Sequence, residues 1–376
     1  WYHIAFCRAN GVTRAFLNGV LVSSSTKSYT GNFNNNPLYI GGGPTNGWFN
    51  GYIDNLRIAR GAAYTSNFTP PDKDFYADPT IDYYRDTVGL HLGNTGVNNA
   101  NNRTLLDSNN GSAFTTYGNV GSGRFSPYGK NWSTYFTSAD YLNINTSTGN
   151  ASFTLEFWIC PTATNVLYPI ISQGTADSSA NFLLYVDTTN KINLYSNGNI
   201  ASTSVGIVLN TWTHVALSVD SSSNAIIYIN GINRGSGSVA TKSFSAAPLQ
   251  VNRGYGGITT GSSFYLSNLR LVKNATLVYT GNFTPSTSPL TNTPNGTTLL
   301  TCNASYITDG SSTPLTITTT GTPIVYRKSP FSIETYTAAT NGGSAIFNGS
   351  SDYFVDTRAN RFLFGTSNFS IDAWIN

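Results

Sequence analysis

The chain has 376 residues, of which only 10% are charged and 13% aromatic, and its formal net charge is +3. The charges are dispersed, with no basic run and no stripe of aromatic and basic side chains, which argues against nucleic-acid binding. No stretch is apolar for the length that spans a membrane, and none keeps a helical period. Aromatic and β-branched segments separated by Gly, Asn and Ser clusters instead predict an all-β protein.

The chain opens on a predicted strand pair, residues 1–19, which ends at the step Asn18-Gly19. An Asn-Gly step supplies the positive φ values of a type I′ turn, so it predicts a tight hairpin connection at this point. Alternation places Ile4 and Phe6 on one face of the first strand.

The opening segment recurs at residues 209–231, where Trp212 and His214 match Trp1 and His3 (212 − 1 = 211). Further along, PLYIGGG returns as PLQVNRG, and the phrase Y-T-x-N-F-T-P occurs in both copies. The segment SFTLEFWI returns at the chain end as FSIDAWI. A repeat of this length corresponds to a whole domain rather than to a solenoid turn.

The repeats divide the chain into one complete and two partial copies. We predict the C-terminal part of a first domain at 1–80, a complete second domain at 81–290 and the N-terminal part of a third at 291–376. The segment between Trp158 and Trp212 is almost entirely missing from the partial copies, so we do not expect these to join. We interpret the chain as an internal stretch of a longer array, with the partial copies covered by further chain or by strands of neighbouring subunits.

The complete copy is predicted to be a sandwich of two antiparallel sheets, because its strands alternate between apolar and polar residues. The predicted core residues are Phe153, Leu155, Phe157, Val215, Leu217 and Ile227. The three cysteines, Cys7, Cys160 and Cys302, lie at non-equivalent places in the repeat. A disulfide framework would recur with the repeat, so we predict that they are unpaired.

The order of the phrases FTLEFW, W-x-H-(I/V)-A, Asn-Gly, PLYIGG and IDNLRI resembles that of laminin G-like domains. The resemblance covers 1–75, 88–290 and 296–376, and it implies tandem jelly-roll sandwiches of the concanavalin A type. The Y-T-x-N-F-T-P phrase and the openings TLLTCNASYITDGSS and RKSPF resemble repeats of bacteriophage, especially cyanophage, structural and tail-fibre-like proteins. This implies a virion-surface or extracellular location, with other copies or other virion proteins as partners in an oligomer or filament.

Some concanavalin-like folds are glucanases, and glycoside hydrolysis requires a pair of carboxylates. Glu156 is alone on its strand face, and so is its repeat equivalent Asp372. No Ser/His/Asp or Cys/His arrangement emerges either, so we predict no enzymatic activity. We also predict no cofactor: Asp54 is a candidate calcium ligand, but the second copy has Ser267 there, and calcium needs several oxygen ligands.

Two functions stay open. The first is binding of host-surface polysaccharide by loops at the rim of each sandwich, with Trp48 and Tyr255 as platforms on which a sugar can stack. The candidate glycan-binding residues are Trp48, Tyr255, Asn252 and Arg253. The second is a purely architectural role, as a repeat protein of a virion or an extracellular filament with no glycan site.

Overall fold

The computed structural model of the chain describes residues 1–26, 38–43, 47–71, 87–91, 115–117, 121–123, 131–149, 152–246, 248–273, 277–293, 296–326, 330–331, 344–356, 362 and 364–376. All regular elements in these stretches are β-strands, which confirms the predicted all-β class. None of the described stretches contains a helix long and apolar enough to cross a membrane.

The chain divides into two compact units, and unit 1 consists of Trp1–Gly129 together with Glu334–Asn376. With strands numbered along the whole chain, its strands are β1 (Tyr2–Ala9), β2 (Val12–Leu17), β3 (Val20–Thr26), β4 (Leu38–Ile40), β5 (Asn50–Arg60), β6 (Thr87–His91), β7 (Thr115–Tyr117), β8 (Gly121–Gly123), β24 (Ser344–Asn348), β25 (Tyr353–Asp356) and β26 (Phe369–Ile375).

Unit 2 consists of Lys130–Ile333. Its strands are β9 (Ser133–Phe136), β10 (Tyr141–Ile144), β11 (Phe153–Pro161), β12 (Tyr168–Gln173), β13 (Phe182–Val186), β14 (Lys191–Tyr195), β15 (Asn199–Gly206), β16 (Thr213–Val219), β17 (Asn224–Ile229), β18 (Ile232–Ser238), β19 (Leu249–Val251), β20 (Phe264–Lys273), β21 (Thr297–Thr301), β22 (Ile317–Thr320) and β23 (Ile324–Tyr326). By the sequence repeat, β16 to β20 are the equivalents of β1 to β5, and β9 to β11 are the equivalents of β24 to β26.

Two antiparallel sheets pack together in unit 2. The first sheet runs β18-β17-β16-β11-β20-β9-β23 with β21 attached to β20, and the second runs β15-β14-β13-β12-β19-β10-β22. Side chains from both sheets form one hydrophobic cluster, which contains the six predicted core residues Phe153, Leu155, Phe157, Val215, Leu217 and Ile227. The predicted two-sheet sandwich and its core are therefore confirmed.

Unit 1 repeats the first of these sheets strand for strand, since its described strands run β3-β2-β1-β26-β5-β24-β8 with β6 attached to β5. Its second sheet has three strands among the described residues, in the order β4-β25-β7. The two chain ends meet in the first sheet, where Tyr2 pairs with Ile375 and Arg8 with Phe369. The expectation that the partial copies would not join is therefore wrong, because β26 and β1 are neighbours just as β11 and β16 are in unit 2.

The compact units are shifted along the chain relative to the predicted domains 1–80, 81–290 and 291–376. β6, at the start of the predicted second domain, pairs with β5 of unit 1. In the same way, β21 pairs with β20 of unit 2. Hydrogen bonding along the sheet thus joins the first strand of each repeat to the unit that precedes it in sequence. The interpretation of the chain as part of a longer tandem array stays a prediction.

The predicted Asn-Gly turns have the expected backbone in both units. Asn18 and Gly19 have φ values of 49° and 78°, and Asn230 and Gly231 have 49° and 77°. Positive φ at both central positions is the requirement of a type I′ turn, which Asn-Gly meets at low cost. The Asn18 side chain also accepts a hydrogen bond from the backbone N–H of His3 at 2.9 Å, which fixes the start of β1 against the turn.

The three cysteines, Cys7, Cys160 and Cys302, are buried and none of them forms a disulfide, as predicted. Burial raises the pKa of the Cys7 and Cys302 thiols to about 11. Both thiols are therefore uncharged at neutral pH and act as small apolar groups of the interior.

Candidate functional site

Four side chains of unit 2 form a buried group that we call the acid cluster: Glu156, His214, Arg270 and Tyr279. Glu156 Oε1 accepts a hydrogen bond from Arg270 Nε at 2.9 Å, and Oε2 accepts one from Tyr279 OH at 2.7 Å. His214 Nε2 lies 3.2 Å from the same Oε2. Strand order explains the grouping, because β11 lies between β16 and β20 and Arg270 is directly opposite Glu156.

The same group recurs in unit 1 around an aspartate: Asp372, His3, Arg57 and Tyr64. Arg57 holds the carboxylate with two hydrogen bonds, from Nε to Oδ1 at 2.9 Å and from Nη2 to Oδ2 at 3.0 Å. Tyr64 OH lies 3.3 Å from Asp372 Oδ2, and His3 Nε2 lies 3.6 Å from it. Two parallel hydrogen bonds are the strongest geometry for an arginine–carboxylate pair. In unit 1 this geometry forms with aspartate, whose side chain is shorter than that of Glu156.

The environment of Glu156 decides what this carboxylate can do. Its side chain is fully buried, with 0% of its surface exposed. Burial alone raises its pKa, but the hydrogen bond from His214 and the charge of Arg270 outweigh burial and hold the pKa of Glu156 below its ordinary value of 4.5. The carboxylate is therefore ionised and satisfied inside the protein. It is not accessible to a saccharide in solvent, so its role is to hold three strands together.

A segment that follows β20 covers the acid cluster. The Phe283 ring stacks on Tyr279 with ring centroids 3.5 Å apart, and the Phe283 N–H donates to Gly231 O at 2.8 Å. Asn282 Oδ1 accepts a hydrogen bond from the N–H of Asn233 at 2.8 Å, which ties the segment to β18. The recurring phrase Y-T-x-N-F-T-P therefore has a structural explanation. Its Tyr belongs to the acid cluster, and its Asn and Phe hold this covering segment against the sheet through hydrogen bonds.

Tyr255, one of the two predicted stacking platforms, is buried, with 3% of its surface exposed. Burial also raises the pKa of its phenol group. A ring with no exposed face has no surface on which a sugar can stack, so the structure corrects this prediction. The surrounding loop folds on itself: the Ile258 N–H donates to Tyr255 O at 3.1 Å.

Asn252 is also buried, with 2% of its surface exposed. Its Nδ2 donates hydrogen bonds to Thr137 O at 2.7 Å and Asp140 O at 2.9 Å, and its Oδ1 accepts one from Ser262 N at 2.9 Å. The amide therefore joins the two ends of its own loop to the turn before β10. This corrects the second of the predicted glycan contacts, because its polar atoms are already used within the chain.

Arg253 and Trp48 are accessible, and each covers the ring of a tyrosine. Arg253 is exposed, and its Cζ lies 4.5 Å from the ring centroid of Tyr141. Trp48 is half-buried, and its ring centroid lies 5.5 Å from that of Tyr353 with 38° between the planes. Tyr39 is a further half-buried aromatic, 5.7 Å from Tyr353. We call Tyr141 and Tyr353 the covered tyrosines.

The covered tyrosines occupy equivalent positions in the repeat, each directly after a turn aspartate, Asp140 or Asp352. Arg253 is the repeat equivalent of Gly42, and a Cβ atom on Gly42 would lie 2.5 Å from the Trp48 ring. Glycine at this position thus leaves room for an indole where unit 2 has an arginine. Sequence reasoning missed both tyrosines, although the recurring Asp-Tyr step marks them.

The surface around Tyr141 is polar. Leu142 and Ile144 belong to the core, so Tyr141 and Asn143 lie on the opposite face of β10. Asn143 Oδ1 accepts a hydrogen bond from Gln250 Nε2 at 3.1 Å. Gln250 Oε1 is buried and has no hydrogen-bond partner among the described residues. An unpaired acceptor of this kind is commonly satisfied by water or by a ligand hydroxyl.

No three His, Cys, Asp or Glu side chains of the described stretches are grouped so that they could hold a metal ion. Asp54, the candidate calcium ligand, is buried, and its Oδ1 accepts a hydrogen bond from the N–H of Asn55 at 2.7 Å. At least one of its carboxylate oxygens therefore faces the chain's own backbone.

A family model of laminin G-like type, described as the concanavalin A-like lectin/glucanases superfamily, matches residues 1–65 and 134–278. No curated protein is a significant match to this chain.

Three solved structures are similar to parts of the chain. The first, a proposed carbohydrate-binding protein from Bacteroides ovatus, is 18% identical over 51% of this chain and 61% of that one, which is less than two thirds of its length, with a TM-score of 0.36. The second, a heptameric SAP-like pentraxin from Limulus polyphemus, is 19% identical over 38% of this chain and 76% of that one, with a TM-score of 0.30. The third, the CBM40 of a Ruminococcus gnavus IT-sialidase bound to α2,3-sialyllactose, is 11% identical over 37% of this chain and 92% of that one, with a TM-score of 0.27.

Proposed function

Since the chain belongs to the concanavalin A-like lectin/glucanase superfamily, we propose that it is a carbohydrate-binding protein without catalytic activity. The proposal extends to its setting: a fibre-type structural protein at a virion surface or in an extracellular appendage. Its partners are then other copies or other virion proteins and the polysaccharide of a host surface.

The covered tyrosines carry the proposal of carbohydrate binding. Tyr141 and Tyr353 are half-buried, and each has an accessible neighbour, Arg253 or Trp48. A pyranose ring has an apolar face and a rim of hydroxyl groups, so it fits an aromatic surface with hydrogen-bonding groups beside it. Asn143 supplies such a group next to Tyr141. A half-buried tyrosine with an accessible neighbour occurs in both units, but the neighbour is Arg253 in one and Trp48 in the other. This combination favours a ligand-binding surface whose specificity differs between the units.

The acid cluster supports binding without hydrolysis. A glycosidase needs two carboxyl groups that flank the sugar bond, separated by about 5 to 9 Å. Glu156 and Asp372 are the acids that the strand pattern singles out, and both are fully buried in ion pairs with arginine. Neither can reach a sugar without breaking its own sheet.

The virion or appendage setting is supported by the phrases that resemble phage structural repeats and by the low charge of a repetitive chain. It is tested by peptide mass spectrometry of purified particles from the source culture. Peptides of this chain should co-purify with the particles through a density gradient. Recovery only in the cell fraction would contradict this part of the proposal.

The binding part is tested on an array of bacterial surface polysaccharides and oligosaccharides. We expect retention that falls at least tenfold in Tyr141→Ala combined with Tyr353→Ala, and that falls less in Arg253→Ala or Trp48→Ala alone. Tyr326→Ala is the matched control, because Tyr326 is an exposed tyrosine of the other sheet of unit 2.

Reducing-end assays on the retained glycans should show no release of oligosaccharide. Folded protein that binds no glycan on the array would favour the architectural role, in which the repeats only build a filament. Equal loss of binding in Tyr326→Ala would likewise contradict a site at the covered tyrosines.

A further inference from the structure

Two loops at one end of unit 2 expose aliphatic side chains, and we call these four residues the aliphatic rim. The loop between β11 and β12 exposes Val166 and Leu167, each with 43% of its surface accessible. The loop between β15 and β16 exposes Val208 at 61% and Leu209 at 40%. They make up four of the seven prominently exposed large hydrophobic side chains in the described part of unit 2. Clustering of exposed apolar side chains marks a surface that contacts an apolar partner.

One asparagine of the turn between β13 and β14 holds the two loops side by side. Asn190 Oδ1 accepts hydrogen bonds from the N–H of Asn165 at 2.9 Å and from Thr164 Oγ1 at 3.0 Å. Its backbone oxygen accepts one from the N–H of Ile207 at 2.8 Å. Asn165 and Ile207 directly precede the two exposed pairs. Since their backbone N–H groups are already paired, the aliphatic rim is presented to solvent by loops that are held in place.

The surroundings of the aliphatic rim carry little negative charge. The two loops, 162–167 and 207–212, contain no charged residue. Lys191 lies at the start of β14, beside these loops, and no carboxylate of the described residues forms an ion pair with it. The carboxylate of Asp187, in the same turn, accepts hydrogen bonds from the N–H groups of Thr189 at 2.7 Å and Lys191 at 3.1 Å. The rim therefore combines an uncharged apolar tip with an ammonium group beside it.

The size of the aliphatic rim indicates the class of its partner. Four side chains that are roughly half exposed present a few hundred Å² of apolar surface, whereas a stable dimer buries about 800 Å² on each partner. A lipid surface takes up aliphatic side chains without a matching shape, and its anionic headgroups attract basic side chains. The second loop ends at Trp212, which is half-buried, and indole rings favour the boundary between membrane and water.

We propose that the aliphatic rim docks on a lipid bilayer, with its four side chains entering the boundary between headgroups and acyl chains. The rim adjoins the loop that carries Arg253, because Thr162 Oγ1 donates a hydrogen bond to Ser263 O at 2.8 Å. Docking therefore brings the candidate glycan site of unit 2 close to the surface of the membrane. The lipid contact itself does not depend on the proposed carbohydrate binding.

The experiment is flotation of the full chain with glycan-free vesicles of phosphatidylcholine, with and without phosphatidylglycerol. We expect the chain to float with both kinds of vesicle, and more completely with the anionic kind. Leu167→Asp combined with Leu209→Asp should lower the floated fraction at least tenfold, because a carboxylate does not enter the acyl region. Leu167→Ile combined with Leu209→Ile should float like the original chain, since both side chains stay aliphatic.

Ile324→Asp is the matched control for the added charge. Ile324 has 50% of its surface exposed, but it belongs to β23, an edge strand of the first sheet of unit 2. This variant should float like the original chain. Circular dichroism of all variants checks that they are folded.

The proposal is overturned if the original chain does not float, or if the Asp pair floats as completely as the original chain. An equal loss in Ile324→Asp would also overturn it, because the effect would then not depend on the rim. Sedimentation velocity over a concentration series tests the other occupant. A dimer that the Asp pair abolishes, without flotation of the original chain, would assign the rim to a second copy. Because the vesicles carry no glycan, each of these failures leaves the proposed carbohydrate binding standing.

Discussion

A buried carboxylate is costly unless its charge and its lone pairs are met by neighbouring groups, and the acid cluster meets both. Arg270 supplies the opposite charge to Glu156, and Tyr279 and His214 supply further hydrogen-bonding contacts. Unit 1 reaches the same result with Asp372, although the side chain is one methylene shorter. The buried carboxylate thus keeps the same three kinds of partner, His, Arg and Tyr, in both units, whether its own residue is Glu or Asp.

Glu156→Gln should destabilise unit 2 by about 3 kcal/mol, because it leaves the guanidinium of Arg270 buried without a counter-charge. Urea unfolding at pH 7, followed by tryptophan fluorescence, measures the loss. Thr298→Ala, at a half-buried position on the neighbouring strand β21, serves as control and should change the unfolding free energy by less than about 1 kcal/mol. A variant as stable as the parent would show that the cluster is not a stabilising unit.

The pH dependence of stability follows from the lowered pKa of Glu156. A carboxyl whose folded pKa lies below its unfolded value stabilises the fold above the unfolded value and loses this contribution as the pH falls through the folded value. The urea midpoint should therefore fall as the pH is lowered below about 4.5. In Glu156→Gln this part of the fall should disappear. An identical acid profile in both proteins would contradict the assignment.

At the scale of elements, the hairpin turn and the covering segment act together. The Phe283 N–H donates to Gly231 O, and the two backbones approach so closely that a Cβ atom on Gly231 would lie 1.8 Å from Phe283 O. Gly19 and Phe68 make the same contact in unit 1, where the added Cβ would lie 1.9 Å from the carbonyl oxygen. Glycine is thus required at this turn for two reasons. The position has a positive φ, and the covering segment approaches too closely to leave room for a Cβ atom.

Gly231→Ala should destabilise unit 2 by clearly more than Gly256→Ala. Both glycines have positive φ, 77° and 62°, so both substitutions incur about 1 kcal/mol of backbone strain. Only Gly231 adds a clash, because nothing lies within 4 Å of a Cβ at Gly256. Chemical denaturation of the two variants, compared at equal pH, measures the difference. Equal losses would mean that the covering segment moves aside without cost.

At the scale of the whole molecule, the limits of the folded units follow the sheets rather than the repeats. Strands β21 to β23 belong to unit 2, and β21 pairs along β20 at the edge of the core. The second domain predicted from the repeat therefore begins three strands before unit 2 does. The same shift gives unit 1 its strands β6 to β8.

A fragment of residues 130–333 should fold as one cooperative unit, whereas a fragment of residues 88–290 should be less stable. Ending the fragment at residue 290 removes β21, which contributes Leu299 to the core of unit 2. Differential scanning calorimetry of the two fragments should show a higher Tm for 130–333. The reverse order would support the limits that the sequence repeat predicts.

The sequence by itself determined the all-β class, the repeat, the hairpin turns and the core of unit 2. These features depend on neighbours along one strand or one turn, and alternation or an Asn-Gly step is enough to reveal them.

Only the tertiary structure decided which residues of the candidate site are accessible. Tyr255 and Asn252 were predicted on a loop, yet they are buried because that loop folds back on its sheet. Tyr141 and Tyr353 gained their covering residues, Arg253 and Trp48, from loops distant in sequence. The joining of β1 to β26 likewise depends on contacts between the two chain ends, which no local pattern encodes. Burial is a property of packed layers, and the sequence of one strand does not specify what packs against it.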